Sequence, residues 1–265
     1  MSGLEAAAEK QFWFFYAVLA ARYVVIAGLA FWVFYVLVPQ KFARRKIQEL
    51  FPKRKDYVRE VGYSFCTFVI FALIGVVLSS DQVKPYTQIY SHVSEYGWGY
   101  FGLSIVLALL IHDAYFYWTH RLMHHPRLFK LFHLTHHRSV NPSPWAAFAF
   151  SPLEAVVEGS IIFVVAVLIP IHPVAIVLFL LLMTIYNVYG HLGYEIYPKW
   201  LVNSAVGKWL NTSTNHNMHH KFFKGNYGLY TRLWDEWLGT THAQYDQTLA
   251  KLVEPAPPKE HLQEA

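Results

Sequence analysis

Eleven of the fifteen histidines in this 265-residue chain fall in four short stretches: His112/His120/His124/His125, His133/His136/His137, His191, and His216/His219/His220. Two of the stretches repeat one figure, a histidine followed three and four positions later by a His-His pair. Neutral imidazole is the commonest biological metal ligand, and residues three or four apart on a helix share a face. Each His-x-x-His-His set therefore covers an arc of roughly 100°, wide enough for adjacent rings to address two neighbouring ions. His112, Phe116, His120 and His124 recur every four residues and present a further row. The expected ligands are His120, His124, His133, His136, His137, His191, His216, His219 and His220. His125, offset by five from His120 and followed by Pro126, is a weaker candidate, and His112 stands between ligand and support. The isolated His92, His172, His242 and His261 read as ordinary core or interface residues.

Nine imidazoles are too many for one structural zinc, which takes four ligands. Cys66 is the only cysteine, which excludes intramolecular disulfides, Cys-rich zinc modules and an iron–sulfur ferredoxin centre in this chain. It lies in an apolar run and reads as a small buried hydrophobe. Two-metal hydrolases usually mix carboxylates into the shell, and none lies within these sets. Two iron ions with positions open to dioxygen fit the count and the lipid setting best. Asp113, Glu154, Glu158, Glu195 and Asp235 are near enough in sequence to orient ligand rings through hydrogen bonds.

The elements that must position these rings are membrane helices. Apolar residues make up 55% and charged residues 15% of the chain, against about 25% charged in a soluble domain. A first apolar run, Phe12 to Val38, predicts a retained span over about 20–38 with Arg22 snorkelling at its outer end, since no cleavage-type signal precedes it. Lys41, Arg44, Arg45, Lys46, Lys53, Arg54, Lys55 and Arg59 then crowd one connecting segment, against Glu49, Asp56 and Glu60; beside apolar runs this marks a cytoplasmic loop rather than a nucleic-acid patch. Run two covers Val61 to Ser80 and run three Trp98 to Trp118, with His112 and Asp113 inside it, where ionisable groups are costly and usually functional. Val156 to Tyr189, broken by Pro170-Ile171-His172-Pro173, reads as a helical hairpin reaching only part-way through the bilayer. The tail from Pro255 is expected to lack order.

Counting crossings from a cytoplasmic basic loop brings every histidine cluster to that same face. The expected fold is thus all-α: an integral membrane helical bundle of three spans plus a helical hairpin, with a histidine-rich metal-binding cap on the cytoplasmic side. Residues 1–97 form the N-terminal spans and basic loop, 98–242 the catalytic unit, and 243–265 a polar tail.

The motifs themselves resemble a known family. His112-Asp113, Tyr117-Trp118-Thr119-His120-Arg121-Leu122-Met123-His124, His133-Leu134-Thr135-His136-His137, Pro152-Leu153-Glu154, His191-Leu192-Gly193-Tyr194-Glu195, His216-Asn217-Met218-His219-His220, Asn226-Tyr227-Gly228, Trp234-Asp235 and Gly239-Thr240 together are similar to the fatty acid hydroxylase/sterol desaturase superfamily, over about residues 98–242. The His-Arg-x-x-His spacing favours the sterol side. The resemblance implies a membrane enzyme with two Fe2+ ions that uses dioxygen and two electrons to hydroxylate or desaturate a lipid. Carried over by position, one ion takes His120, His133, His136, His216 and His219, and the other His124, His137, His191 and His220. Asn187 stands where some acyl hydroxylases of the superfamily have a further histidine, so it joins His112, Asp113, His125, Glu195 and Asp235 as a candidate to ligate or to orient ligands.

No dinucleotide fingerprint, Cys cluster or fused haem domain is evident, so electrons are expected from a separate ferredoxin or cytochrome with its reductase. The substrate is expected to be a membrane lipid held between runs three and four, with the aromatic segment Phe222–Trp237 capping the site. Nucleic acid is not an expected partner. The setting is the bacterial inner membrane or the endoplasmic reticulum. Competing readings are a stearoyl-type acyl desaturase, a carotenoid hydroxylase, a metal-dependent membrane hydrolase and a metal transporter.

Overall fold

The computed structural model describes residues 3–254. Among these there is no strand, only three isolated bridges, Lys46 with Tyr194, Ile89 with Ile171 and Leu210 with Thr231. Helix α1 (Gly3–Phe31) runs on through a π-helical turn at Trp32–Leu37; α2 is Arg54–Leu78 and α3 Gly97–Met123. Short helices follow: α4 (Pro126–Phe132), α5 (Leu134–His137), α6 (Pro152–Gly159) and α7 (Ile161–Leu168). Then come α8 (Pro173–Gly190), α9 (Lys199–Val202), α10 (Ser213–Phe222), α11 (Leu233–Trp237) and α12 (Tyr245–Val253).

Four segments are long and apolar enough to cross a membrane: Glu5–Leu37, Arg54–Leu78, Gly97–Met123 and Pro173–Gly190. The bundle is therefore multi-pass: three long spans, then the expected hairpin, whose second arm, α8, is itself long enough to be the fourth candidate span. Pro173 occupies its first turn, where the missing N–H costs nothing, and the His172 ring accepts from Val174 N. With that start its 18 residues run unbroken to Gly190, whereas the opposing arm is divided into α6 and α7 at Ser160. Gly159 sits at this break because α2 presses on it: a Cβ there would lie 2.5 Å from Ile74 Cδ1.

Length explains how the histidines leave the bilayer. At about 1.5 Å per residue the 27 residues of α3 reach about 40 Å, beyond the roughly 30 Å of hydrocarbon. The surplus turn carries His120 and His124 out at the end of the helix. The first span begins at Glu5, some fifteen residues earlier than the expected start near 20, because Leu4 to Ala8 are strong helix formers. Arg22 consequently lies near the middle of α1, half-buried with Nε unpartnered, rather than at an outer end. Cys66 is exposed on α2, not buried; an apolar run in lipid has an outward face as apolar as its core. Glu60 is fully buried and accepts from the Ser139 and Ser143 hydroxyls, so it is a tie between α2 and the loop after α5, not a counter-charge on the basic segment. The Pro255 tail and His261 lie outside the described residues.

Candidate metal centre

Helix α10 is the element to start from. Its residues Ser213 to His220 are all buried although most are polar. Burying polar groups costs free energy unless they find partners, so nothing in composition alone would put this helix inside. Thr212 begins it by accepting from Asn215 N, and Glu195 fastens the same turn by accepting from Thr214 N and Thr214 Oγ1. Phe223, at φ 62°, ends it. Between those ends the helix delivers His216, His219 and His220 to rings arriving from α3, α5 and the end of α8.

The rings meet in two groups. Ligand atoms of His120, His124, His133, His137 and His219 lie within 4.8 Å of one another, and so do those of His136, His191, His216 and His220. All nine expected ligands are in these groups. The division differs from the one carried over by resemblance: His136 and His216 belong with His191 and His220, and His124 and His137 with the other set. Adjacent histidines on α5 and α10 point about 100° apart, so His136 and His137 part company, as do His219 and His220.

Within the four-membered group, His191 Nε2 lies 3.2 Å from His136 Nε2, 3.0 Å from His216 Nε2 and 3.2 Å from His220 Nε2, and His216 and His220 are 3.2 Å apart. In the five-membered group His219 Nε2 lies 3.1 Å from His124 Nε2 and 3.0 Å from His137 Nε2. One nitrogen cannot hydrogen-bond to three others when its own proton is elsewhere. His191 Nδ1 faces the Asn187 carbonyl at 2.8 Å, which only accepts, so the proton is on Nδ1 and Nε2 carries a lone pair. The same holds for His120 against Tyr227 O (2.9 Å) and His219 against Gly225 O (2.7 Å), while His133 Nδ1 pairs with Glu154 Oε1 at 2.6 Å. His120 Nε2 and His133 Nε2 are buried with no partner. Imidazoles bound at about 2.1 Å to a shared first-row ion would have nitrogens about 3.0–3.4 Å apart. Converging lone pairs at that spacing, backed by fixed acceptors, are the donor set such an ion requires.

Burial also keeps the rings neutral. It lowers the basicity of His191 to about 4 and, with the neighbouring His120, that of His124 to about 2. His133, His136, His137, His216, His219 and His220 are all depressed well below the usual imidazole range, first by burial and then by one another.

The remaining candidates support rather than join the groups. His112 lies deeper along α3, its Nδ1 2.9 Å from the Tyr230 hydroxyl. His125 is turned outward and accepts from Arg127 N at the start of α4; the offset of five takes it off the ligand face. Asn187 gives its amide to Ala147 O and orients His191 through its backbone carbonyl, not its side chain. Asp113 accepts from Tyr230 N, Thr231 N and Thr231 Oγ1, and Asp235 from Tyr227 N, Gly228 N and Thr240 Oγ1. These two acids brace the loop 225–231, whose carbonyls back His120 and His219. Glu195 anchors α10, and Glu154 alone among the acids touches a ring. Glu158, one turn on, is buried with none of its described bonds reaching an imidazole.

Sequence reasoning missed the carbonyl backers. Gly225 could have been found, because its φ of +78° and the Thr240 carbonyl, 2.6 Å from where a Cβ would stand, require glycine. Tyr227 carried no such signal, since any residue has a carbonyl. Of the expected aromatic cap, Tyr227 and Tyr230 face inward, whereas Trp237 is largely exposed.

Comparison with known proteins agrees with this centre. The chain is 30% identical to a Delta(7)-sterol 5(6)-desaturase of Gibberella zeae over 185 residues, covering 70% of this chain and 56% of that one. It is 30% identical to the Delta(7)-sterol 5(6)-desaturase of Leptosphaeria maculans over 237 residues (85% and 64%), and 28% identical to the lathosterol oxidase of Homo sapiens over 179 residues (67% and 58%). The chain thus spans between half and two thirds of these relatives. No solved structure gives a significant match. Residues 105–240, which hold all nine clustered histidines and the loop that backs them, match the fatty acid hydroxylase family, and the chain belongs to it.

Proposed function

We propose that the chain is a membrane-bound oxidoreductase in which the nine imidazoles hold two iron ions, five rings at one and four at the other, and which uses dioxygen and two external electrons to hydroxylate or desaturate a lipid. The observation that carries this reading is the pair of crowded nitrogen clusters, neutral by burial and backed by acceptors. Iron held there supplies what no side chain can, activation of dioxygen for attack on an unactivated C–H bond.

The protein's own residues then orient the ligands. Glu154, Gly225 O, Tyr227 O and Asn187 O fix ring direction. His112 and Tyr230, both buried, pair beside the cage. A void of about 10 Å³, room for about one water, lies beside His216 and is lined by Tyr186, Asn187, Gly190 and Leu229.

The relatives' names favour a sterol-class lipid over an acyl chain or carotenoid. The nine rings gather at one end of the bundle, which disfavours transport, where ligands would be spread through the bilayer depth. That end is assigned to the cytoplasmic face from the excess of Lys and Arg between α1 and α2. A separate ferredoxin or cytochrome, reduced by its own reductase, would dock on the exposed Lys41, Arg44, Lys53, Arg54 and Lys55.

The test is lipid profiling of cells with the gene product, without it, and with His136→Ala. Oxygen-dependent appearance of a desaturated or hydroxylated sterol with the wild type alone is expected. Identical lipids in all three under oxygen would remove the oxygenase reading, and turnover without oxygen would replace it with a hydrolase.

A further inference from the structure

Lys46 does not behave like the other cations of its segment. The exposed lysines and arginines around it point to solvent, but Lys46 is half-buried in the wall of a cavity of about 540 Å³. That size lies within the range of small-molecule sites. The cavity opens where α1, α2 and the loop after His191 converge. Phe31, Tyr35, Phe51, Tyr57 and Tyr194 supply its apolar surface. Two of these rings flank the ammonium: Nζ stands 4.5 Å from the Phe51 centroid and 5.6 Å from that of Tyr194.

The ammonium is incompletely satisfied. It has three N–H donors and gives two, to Gln48 O at 2.6 Å and Leu50 O at 3.0 Å. Carbonyls do not neutralise a charge. Among the described residues no carboxylate comes within ion-pair distance of it, although the exposed Glu49 also borders the cavity. Burial lowers its pKa to about 8, the cost that a bound anion would reverse. The surroundings favour one: Lys41, Arg44, Arg45, Lys53, Arg54 and Lys55 raise the local potential, and a juxtamembrane basic segment attracts anionic lipid.

We propose that this cavity binds an anionic lipid, whose head oxyanion accepts from Lys46 Nζ and whose apolar body lies along the Phe31, Tyr35, Tyr57 and Tyr194 rings. The occupant comes from the bilayer because the walls are aromatic and the mouth sits at the end of two membrane helices; a free phosphate would leave those walls bare. The site also touches the metal cage. Ile47 N donates to Gly193 O, Gln48 Nε2 to Asn217 Oδ1 and Val140 O, and Arg45 to Glu195 O. Each of these partners lies within four residues of a clustered histidine, so an occupant that steadies the segment steadies the cage.

The probe is a long-chain fatty acid carrying a diazirine, added to the full chain in nanodiscs of neutral phosphatidylcholine, with the matching diazirine fatty alcohol as the uncharged control. Photolabelling is mapped by peptide mass spectrometry. The acid should label peptides containing Tyr35, Tyr57 or Tyr194 about tenfold more than the alcohol, as one charge-assisted hydrogen bond predicts. Lys46→Gln should abolish that preference, Lys46→Arg should keep it, and Lys53→Gln, on the exposed stretch, should not change it. Because Lys46→Gln also loses two bonds to the segment, Ala43→Trp provides a second variant that fills the cavity while leaving Lys46 intact; it should lose labelling while retaining bound metal. Equal labelling by acid and alcohol, or undiminished labelling in both Lys46→Gln and Ala43→Trp, overturns the proposal. Displacement by millimolar inorganic phosphate overturns the lipid assignment in favour of a soluble anion. None of these readouts depends on turnover.

Discussion

The two imidazole groups are built from the same elements but supported differently. Three rings of the five-membered group are held from behind: His133 by a carboxylate, His120 and His219 by carbonyls of the loop after α10. In the four-membered group the Asn187 carbonyl backs His191, while His136 Nδ1 and His220 Nδ1 are buried without a partner, as His137 Nδ1 is in the first group. Hydrogen bonds behind a ligand fix its tautomer and raise its basicity. The first group therefore offers five rings, three of them backed, and the second is leaner, with four rings; under the proposed function the leaner group is the one expected to lose its ion first.

The sharpest way to break this contrast is to remove one ring from each group. His136→Ala leaves three nitrogens in the leaner group, and elemental analysis should show about half the wild-type metal with turnover abolished. His124→Ala leaves four in the other group and should retain both ions. Equal metal loss in the two variants would erase the distinction.

Next comes the carboxylate. Glu154→Gln keeps the size but removes the charge behind His133, and metal affinity should fall by about 10–100-fold in chelator competition. The loss should appear in only one of the two release steps. If both ions leave earlier, Glu154 does not serve one group.

A smaller effect is expected at Gly225→Ala. The added Cβ would sit 2.6 Å from Thr240 O at a φ of +78°, strain of about 1–3 kcal/mol, and the displaced carbonyl would release His219. Thermal unfolding in detergent should drop by a few degrees, with metal affinity reduced in the same release step as for Glu154→Gln. Unchanged affinity would mean that the loop supports the fold and not the ring.

The gentlest test is pH. In the metal-free protein the buried imidazoles take up protons less readily than in the unfolded chain, whose histidines titrate near 6.5. Stability is then complete above about pH 6.5 and declines as pH falls through the folded-state values, about 4 for His191. Chemical unfolding at pH 7.5, 6 and 5 should show that decline, and metal should suppress it down to the pH at which the ligands release it. A flat profile for the metal-free protein would show that the rings are already charged or solvated.

Much of the centre was legible in the sequence because its signals are local. Spacings of three and four put His133/His136/His137 and His216/His219/His220 on single helical turns, and the hydropathy runs located all but the exact ends of the spans. Boundaries slipped where polar helix formers extend an apolar run, as at the start of α1. The Pro170–Pro173 interruption located the hairpin, and Pro173 gives its second arm, α8, a clean start. Cys66 and Glu60 were misplaced because hydropathy does not tell the lipid-facing side of a helix from the packed side.

The sequence by itself determined which side chains could bind metal and that apolar helices would carry them, since both follow from residue type and helical period. Only the tertiary structure decided which rings converge. It also decided which backbone carbonyls stand behind them, and that Lys46 turns into a cavity while Lys41, Arg44, Lys53, Arg54 and Lys55 face out. Those outcomes depend on where α3, α5, α8 and α10 meet and on the path of the loops between them. Such contacts join residues up to 169 positions apart, and no local pattern in the chain encodes that distance.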